Sequence, residues 1–215
     1  IGVLFEGYLL LLNLIVFLNN FIFLNAYTQI ENTIVVKIGE KVVTSVDLQN
    51  KIYTSLFVNK QEFTQKNIDA VKNFALKSLI NNAIKKIEVE KYKINDFNEK
   101  DLDNYINSMA KNFDTDSNGL KKIFKQTNLD FQTFEESHKI ELIWNTLIFT
   151  LYRNQMNVNI VDVDNELQKI SKNKTEVELK EIKEKILLKK KNDKLKLFSR
   201  SHFSNLENTI PVNFQ

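Results

Sequence analysis

The sequence predicts a mainly helical fold, opened by a small β-hairpin and closed by a C-terminal helix and strand. Three observations carry this. Glycine occurs four times and proline once in 215 residues, too few for the many tight turns of an all-β fold. Apolar residues recur at spacings of three and four from about Leu48 to Phe198, the helical period. The exception is Thr33 to Ile52, where two short apolar runs flank Gly39-Glu40 and lead into a helix start.

Residues 1–26 stand apart. Leu9–Leu12, Leu14–Leu18 and Phe21–Leu24 are nearly all apolar, broken by Asn13, Asn19 and Asn20. This suits a secretory signal peptide with a cleavage point at Leu24-Asn25-Ala26; an uncleaved membrane anchor is the alternative. Both imply an exported body.

The hairpin follows. Ile34–Ile38 is one strand and Lys41–Val43 the next, with Gly39 supplying the positive φ of a tight II′ turn. A helix starts at Thr44/Ser45. A lone two-stranded hairpin is marginal in water, so a distant segment must complete it. The tail Thr209–Phe214 is extended, and its Pro211 is tolerated on an edge strand, so this tail is expected to return and pair with the hairpin.

Between these ends the spacing predicts successive helices. Val46–Val58 carries Leu48, Ile52 and Leu56 inward. Thr64 caps a long helix with the stripe Ile68, Val71, Phe74/Ala75, Leu79, Ala83 and Ile87, ending near Tyr92–Ile94. Asn98 caps a helix carrying Leu102, Tyr105, Ile106 and Met109. Asp114–Gly119 turns into a short helix with Leu120, Ile123 and Phe124. Asn128-Leu129-Asp130 opens a helix that is apolar on more than one side toward Leu151, and so central. Val158–Val161 reads as an extended link, with Asp162 capping a helix to Ile170. The domain reading is 27–170 for the helical body, 171–175 for a polar linker, and 176–215 for a long helix with Val177, Ile182, Ile186, Leu187, Leu195 and Phe198 inward, plus the closing strand.

Several chemistries are disfavoured. Thirty basic against 27 acidic residues give a net charge of +3, too balanced to point to nucleic acid. No cysteine is present, which removes disulfides, Cys-ligated zinc and thiol catalysis. Asp114-Thr-Asp116-Ser-Asn118-Gly119 imitates half of a calcium loop, but Lys125 stands where calcium needs a bidentate Glu; an Asx-type turn is the reading. His138 reads as a surface or partly buried helix residue. His202, near the end of the last helix, complements the helix dipole. No glycine-bounded nucleophile elbow or phosphate loop exists, and no cofactor is expected. The basic run Lys183–Lys196, interspersed with Glu184 and Asp193, reads as a solvated helix face, with an acidic partner or membrane surface as the alternative. The aromatic load is high: sixteen Phe, six Tyr and one Trp. Phe131, Phe134, Trp144, Phe149 and Tyr152 recur on one helix at spacings that do not fit one face. Core packing accounts for such residues, and some are candidates for an exposed apolar groove that binds peptide.

In this order the motifs resemble the N-terminal domain of SurA-type periplasmic chaperones. The carrying residues are Ile34-Val-Val-Lys-Ile-Gly39-Glu-Lys-Val-Val-Thr44-Ser-Val-Asp47-Leu, then Leu102-Asp103 with Ile106 and Ala110-Lys111, then Leu129-Asp-Phe131-Gln-Thr-Phe134 leading into Lys139-Ile-Glu141-Leu-Ile143. The similarity spans about Thr33 to Leu167, and the C-terminal helix and tail look like the family's closing segment. The resemblance implies a periplasmic protein that binds unfolded outer-membrane protein clients without catalysis. Such proteins usually carry a parvulin prolyl-isomerase domain between these segments, glycine-rich and with paired histidines. Here only Gln168–Thr175 occupies that place, and no glycine follows Gly119. Isomerase activity is therefore expected to be absent. A family member with a degenerate isomerase site, or a non-catalytic envelope scaffold, is the alternative. Membrane contact is expected only if residues 1–26 remain uncleaved.

Overall fold

Helix ends explain how so glycine-poor a chain folds back on itself. The computed structural model describes residues 32–172 and 174–215, so the segment read as signal or anchor lies outside the described residues. The elements are β1 (Ile34–Ile38), β2 (Lys41–Thr44), α1 (Ser45–Val58), α2 (Gln65–Lys91), α3 (Glu99–Asn112), α4 (Ser117–Gln126), α5 (Phe131–Tyr152), a 3-10 turn (Arg153–Gln155), α6 (Ile160–Ile170), α7 (Glu176–Thr209) and β3 (Val212–Phe214). Four helices, α1 to α4, end alike. Lys60, Lys93, Asp114 and Asn128 each take a left-handed φ of 53–55° just past the cap. In each, the next residue's N–H reaches back to the helix: Gln61 to Leu56 O, Ile94 to Val89 O, Thr115 to Ala110 O, Leu129 to Phe124 O, at 2.8–3.1 Å. This is the Schellman ending, built without glycine.

The N-termini are capped by side chains. Thr44 and Asp47 form a reciprocal capping box on α1, and Thr175 and Glu178 form one on α7. Thr64, Asp116 and Asp130 cap α2, α4 and α5. Helix α6 differs from expectation: Asn159, not Asp162, is its cap. Asp162 falls in the first turn, where a negative charge suits the helix dipole.

The sheet has the order β2-β1-β3, all antiparallel. Gly39 takes φ +51° at the hairpin turn. The C-terminal tail does return: Val36 faces Phe214 and Ile38 faces Val212, and Pro211 stands just before the edge strand. The Pro211 carbonyl accepts the Gly39 N–H at 3.0 Å, and the Gln215 N–H donates to Val35 O at 3.1 Å. One face of the sheet is fully sealed. Val36, Ile38 and Val43 pack on Ile84 of α2 and on Phe203, Leu206 and Ile210 at the end of the chain. Asn32–Gln215 is one compact unit, with both its ends in one sheet.

Besides a cluster of Leu48, Ile52, Leu56 and Ala75 between α1 and α2, two further apolar clusters fill the body. One joins α3, α4 and the start of α5 around Phe124, which is fully buried. The other joins the second half of α5 to α2 and α7 around Trp144, Leu147 and Ile148, all 0% exposed. Among the described residues no buried side-chain nitrogen or oxygen lacks a hydrogen-bond partner, and no helix is long and apolar enough to cross a membrane.

Candidate functional site

The aromatic residues singled out on α5 do not share one groove. Phe131 and Phe134 turn into the cluster around Phe124, with ring centroids 5.3 and 5.1 Å away. Trp144 is sealed against α7, its indole N–H donating to Ser199 Oγ at 2.7 Å. Tyr152 stacks on Phe198 at 4.8 Å and reaches His202 with its hydroxyl. Phe149 alone of the five is an exposed large apolar side chain, at 55%. Helical geometry sets this contrast. Five residues separate Phe149 from Trp144, which places it about 140° around the helix, away from the packed face.

Phe149 opens onto a cleft of about 490 Å³ between the end of α5, the start of α6 and the middle of α7. Met156 forms a buried floor, and Ile160, Leu187, Leu188 and Leu195 form the walls. Ile160 is 50% exposed and Leu188 60%. Arg153 and Lys191 bring positive charge to the rim. The walls are fixed from outside. Lys183 pairs with Asp164 at 2.7 Å and Lys190 with Glu166 at 2.9 Å, tying α6 to α7. The Lys194 ammonium donates to the Gln155 and Asn157 carbonyls, clamping the turn after α5. So part of the basic run on α7 serves as struts to the acidic residues of α6. Val177, read as inward, is 72% exposed at the first turn of α7, ahead of the part that packs.

Sequence reasoning found Phe149 and missed the rest of this cleft. Leu187 and Leu195 were legible as apolar positions on α7. Nothing in the spacing told that Leu188 and Ile160 would stand opposite Phe149 without a covering element.

His202, read as complementing the helix dipole, is packed inside instead, seven residues before the end of α7. Its side chain is 14% exposed. Nε2 lies 3.2 Å from the carboxylate of Glu88, itself 3% exposed, and Nδ1 lies 2.9 Å from the Tyr152 hydroxyl. A carboxylate only accepts, so Nε2 carries the proton shared with Glu88, while the Tyr152 hydroxyl at Nδ1 can donate or accept. Lys91 adds two contacts of 3.2 Å to Glu88. This buried chain pins α7 to α2 and α5.

A second, more polar cleft of about 250 Å³ lies between α1, α2, α3 and α5. Here His138 stacks flat on Tyr105, with centroids 3.5 Å apart and planes 8° apart. Burial holds the imidazole below its ordinary pKa, against the pull of Glu141. Burial also pushes the Tyr105 phenol up. Lys51 lines this cleft, its ammonium lowered by burial and partly restored by Glu141.

The calcium-like segment is used locally. Asp116 Oδ1 accepts the Gly119 N–H at 2.7 Å as the cap of α4. A Cβ on Gly119 would fall 1.8 Å from Thr115 Oγ1, so glycine there serves close packing. Among the described residues no group of three or more His, Cys, Asp or Glu is placed to hold a metal ion.

No protein-family model matches the chain, and no curated protein is similar to it. Among solved structures, the chain is similar to one from work on the virulence factor PEB4 and the periplasmic protein Cj1289 of Campylobacter jejuni, described there as structurally related SurA-like chaperones. The identity is 15%, over 86% of this chain and 99% of that one, with a TM-score of 0.42. A superposition that loose is a likeness and no more.

Proposed function

We propose that this protein is a SurA-type chaperone that holds apolar segments of unfolded exported proteins, outer-membrane proteins among them, in the cleft beside Phe149. The observation that carries the reading is that cleft: about 490 Å³, walled by Phe149, Ile160 and Leu188, all at least half exposed. Apolar side chains gathered in one open cleft are a feature of binding surfaces. The sequence motifs from Ile34 to Ile143 support the same assignment.

Magnitudes suit a holding role. Phe149 and Leu188 are already half buried, so covering both contributes about 2–4 kcal/mol in all. Each engaged segment is then held no more tightly than about millimolar. Retention of a long client comes from several such contacts and from rapid rebinding. Binding the unfolded state alone shifts its equilibrium by mass action, with no cofactor and no catalysis. The site of action is the periplasm, reached through residues 1–26 as a cleaved signal, or as an anchor facing that compartment.

The test is suppression of aggregation of an unfolded β-barrel outer-membrane protein, followed by light scattering. Suppression rising with chaperone concentration is expected. No suppression at stoichiometric excess would contradict the reading, and clear turnover of a prolyl peptide would contradict its non-catalytic part.

A further inference from the structure

We propose that the polar cleft between α1, α2, α3 and α5 is a binding site for a carboxylate joined to an aromatic ring, with Lys51 holding the anion. This site is separate from the cleft beside Phe149.

The first argument is charge. Two lysines and one glutamate meet here. Lys85 takes both oxygens of Glu141, at 2.5 and 2.6 Å, and so neutralises it. Lys51 is then left over. It lines the cleft half-buried, and no carboxylate stands within ion-pair distance of it among the described residues. The other titratable groups facing it bring no negative charge: burial favours the neutral imidazole of His138 and the neutral phenol of Tyr105. The cleft therefore carries one uncompensated positive charge, partly withdrawn from water. Such a charge is unfavourable alone and is relieved by one anion.

The second argument is shape and surface. Phe74 lines the same cleft and is 67% exposed, the only apolar residue of its helical stripe turned so far out. The stacked pair of His138 and Tyr105 stands on the α3–α5 side of the cleft. Aromatic side chains thus line the cleft from α2 and from α3 and α5, and their offset or edge contacts with a planar ring are favourable. The cleft, about 250 Å³ and open to solvent, has room for one ring with its acid group. The Tyr105 hydroxyl is a neutral donor in reach of the cleft, and it complements an ammonium in binding a carboxylate.

Two sources supply this chemistry: a free aromatic acid, and the C-terminal residue of a polypeptide. The experiment separates them. The full chain is titrated by calorimetry with N-acetylphenylalanine, with its amide, and with a short peptide ending in phenylalanine as free acid or as amide. Acid forms are expected to bind at least tenfold more tightly than amide forms. If the peptide acid binds and N-acetylphenylalanine does not, the ligand is a chain terminus; the two binding alike makes it a small acid. Lys51→Met, which keeps the apolar stem, should erase the acid–amide difference, and Lys51→Arg should retain part of it. Phe74→Ser, at an exposed position, should weaken ring-bearing acids. Equal binding of acid and amide, absence of any binding, or a preference that survives Lys51→Met would overturn the proposal. Aggregation suppression depends on the other cleft, so either idea can fail alone.

Discussion

The two halves of α7 do opposite things. From Leu195 to Ile210 it is a staple. Phe198, Phe203 and Leu206 pack on the Trp144 cluster, Phe203, Leu206 and Ile210 seal the sheet, and His202 closes a buried chain to Glu88. From Glu176 to about Leu195 it packs on α6, and its Leu188 is left open beside Phe149. Both halves carry apolar residues at helical spacing. What differs is the partner: the second half meets α2, α5 and a sheet completed by β3, whereas the first packs on the short helix α6 and is tied to the turn after α5 by Lys194. Amphipathicity therefore says that a helix face will be covered, and not whether the chain itself covers it.

The largest expected effect breaks the stapled half. Removing Thr209–Gln215 takes away β3, the Gly39–Pro211 and Val35–Gln215 hydrogen bonds and the packing of Ile210 and Val212. About 3–6 kcal/mol should be lost, visible as a lower Tm. An unchanged Tm would mean that β1 and β2 are completed otherwise.

A pair of substitutions on α5 sharpens the contrast. Trp144→Ala empties a fully buried site and leaves Ser199 without its indole donor, at about 3–5 kcal/mol in denaturant unfolding. Phe149→Ala, on the open side, should stay within about 0.5 kcal/mol of the parent. Equal losses would show that Phe149 is a core residue.

A smaller gain is expected at the helix ends. Lys60 and Lys93 hold left-handed φ values of 53° and 55°. Glycine accepts that conformation freely, so Lys60→Gly or Lys93→Gly should stabilise the protein by about 1 kcal/mol. Thermal unfolding measures it.

The smallest effect is one of pH. Burial holds His138 below its ordinary pKa of 6.5 in the folded protein. The unfolded chain then takes up a proton first as pH falls through 6.5. This part of the stability is present above 6.5 and is lost on acidification toward the folded pKa. His138→Phe should flatten the slope of Tm against pH in that window; an unaltered slope would assign it to other groups.

Much of this fold was legible in the sequence because local signals and packing agree. Thr64, Asp130 and Thr175 are cap residues just ahead of apolar periodic runs. Gly39 sits between two apolar runs, and Pro211 fits only at an edge. The start of α6 was misplaced because Ile160 and Val161 favour strand by propensity, while Asn159 caps the helix ahead of them. The candidate site was read in part. Five aromatic positions on α5 could not be sorted between core and groove without knowing where α7 lies. His202 was read as a partner of the helix dipole for the same reason: its actual partners Glu88 and Tyr152 are 114 and 50 residues away. Lys51 gave no signal at all, since its lack of an ion-pair partner exists only once four helices meet and Lys85 takes Glu141.

The central claim is that the open half of α7 and Phe149 hold clients. Its most direct test compares the parent chain with the Phe149→Ser, Leu188→Ser double variant in aggregation suppression of an unfolded outer-membrane protein. Suppression should fall severalfold while Tm stays within a few degrees. Undiminished suppression by a folded double variant would contradict the claim.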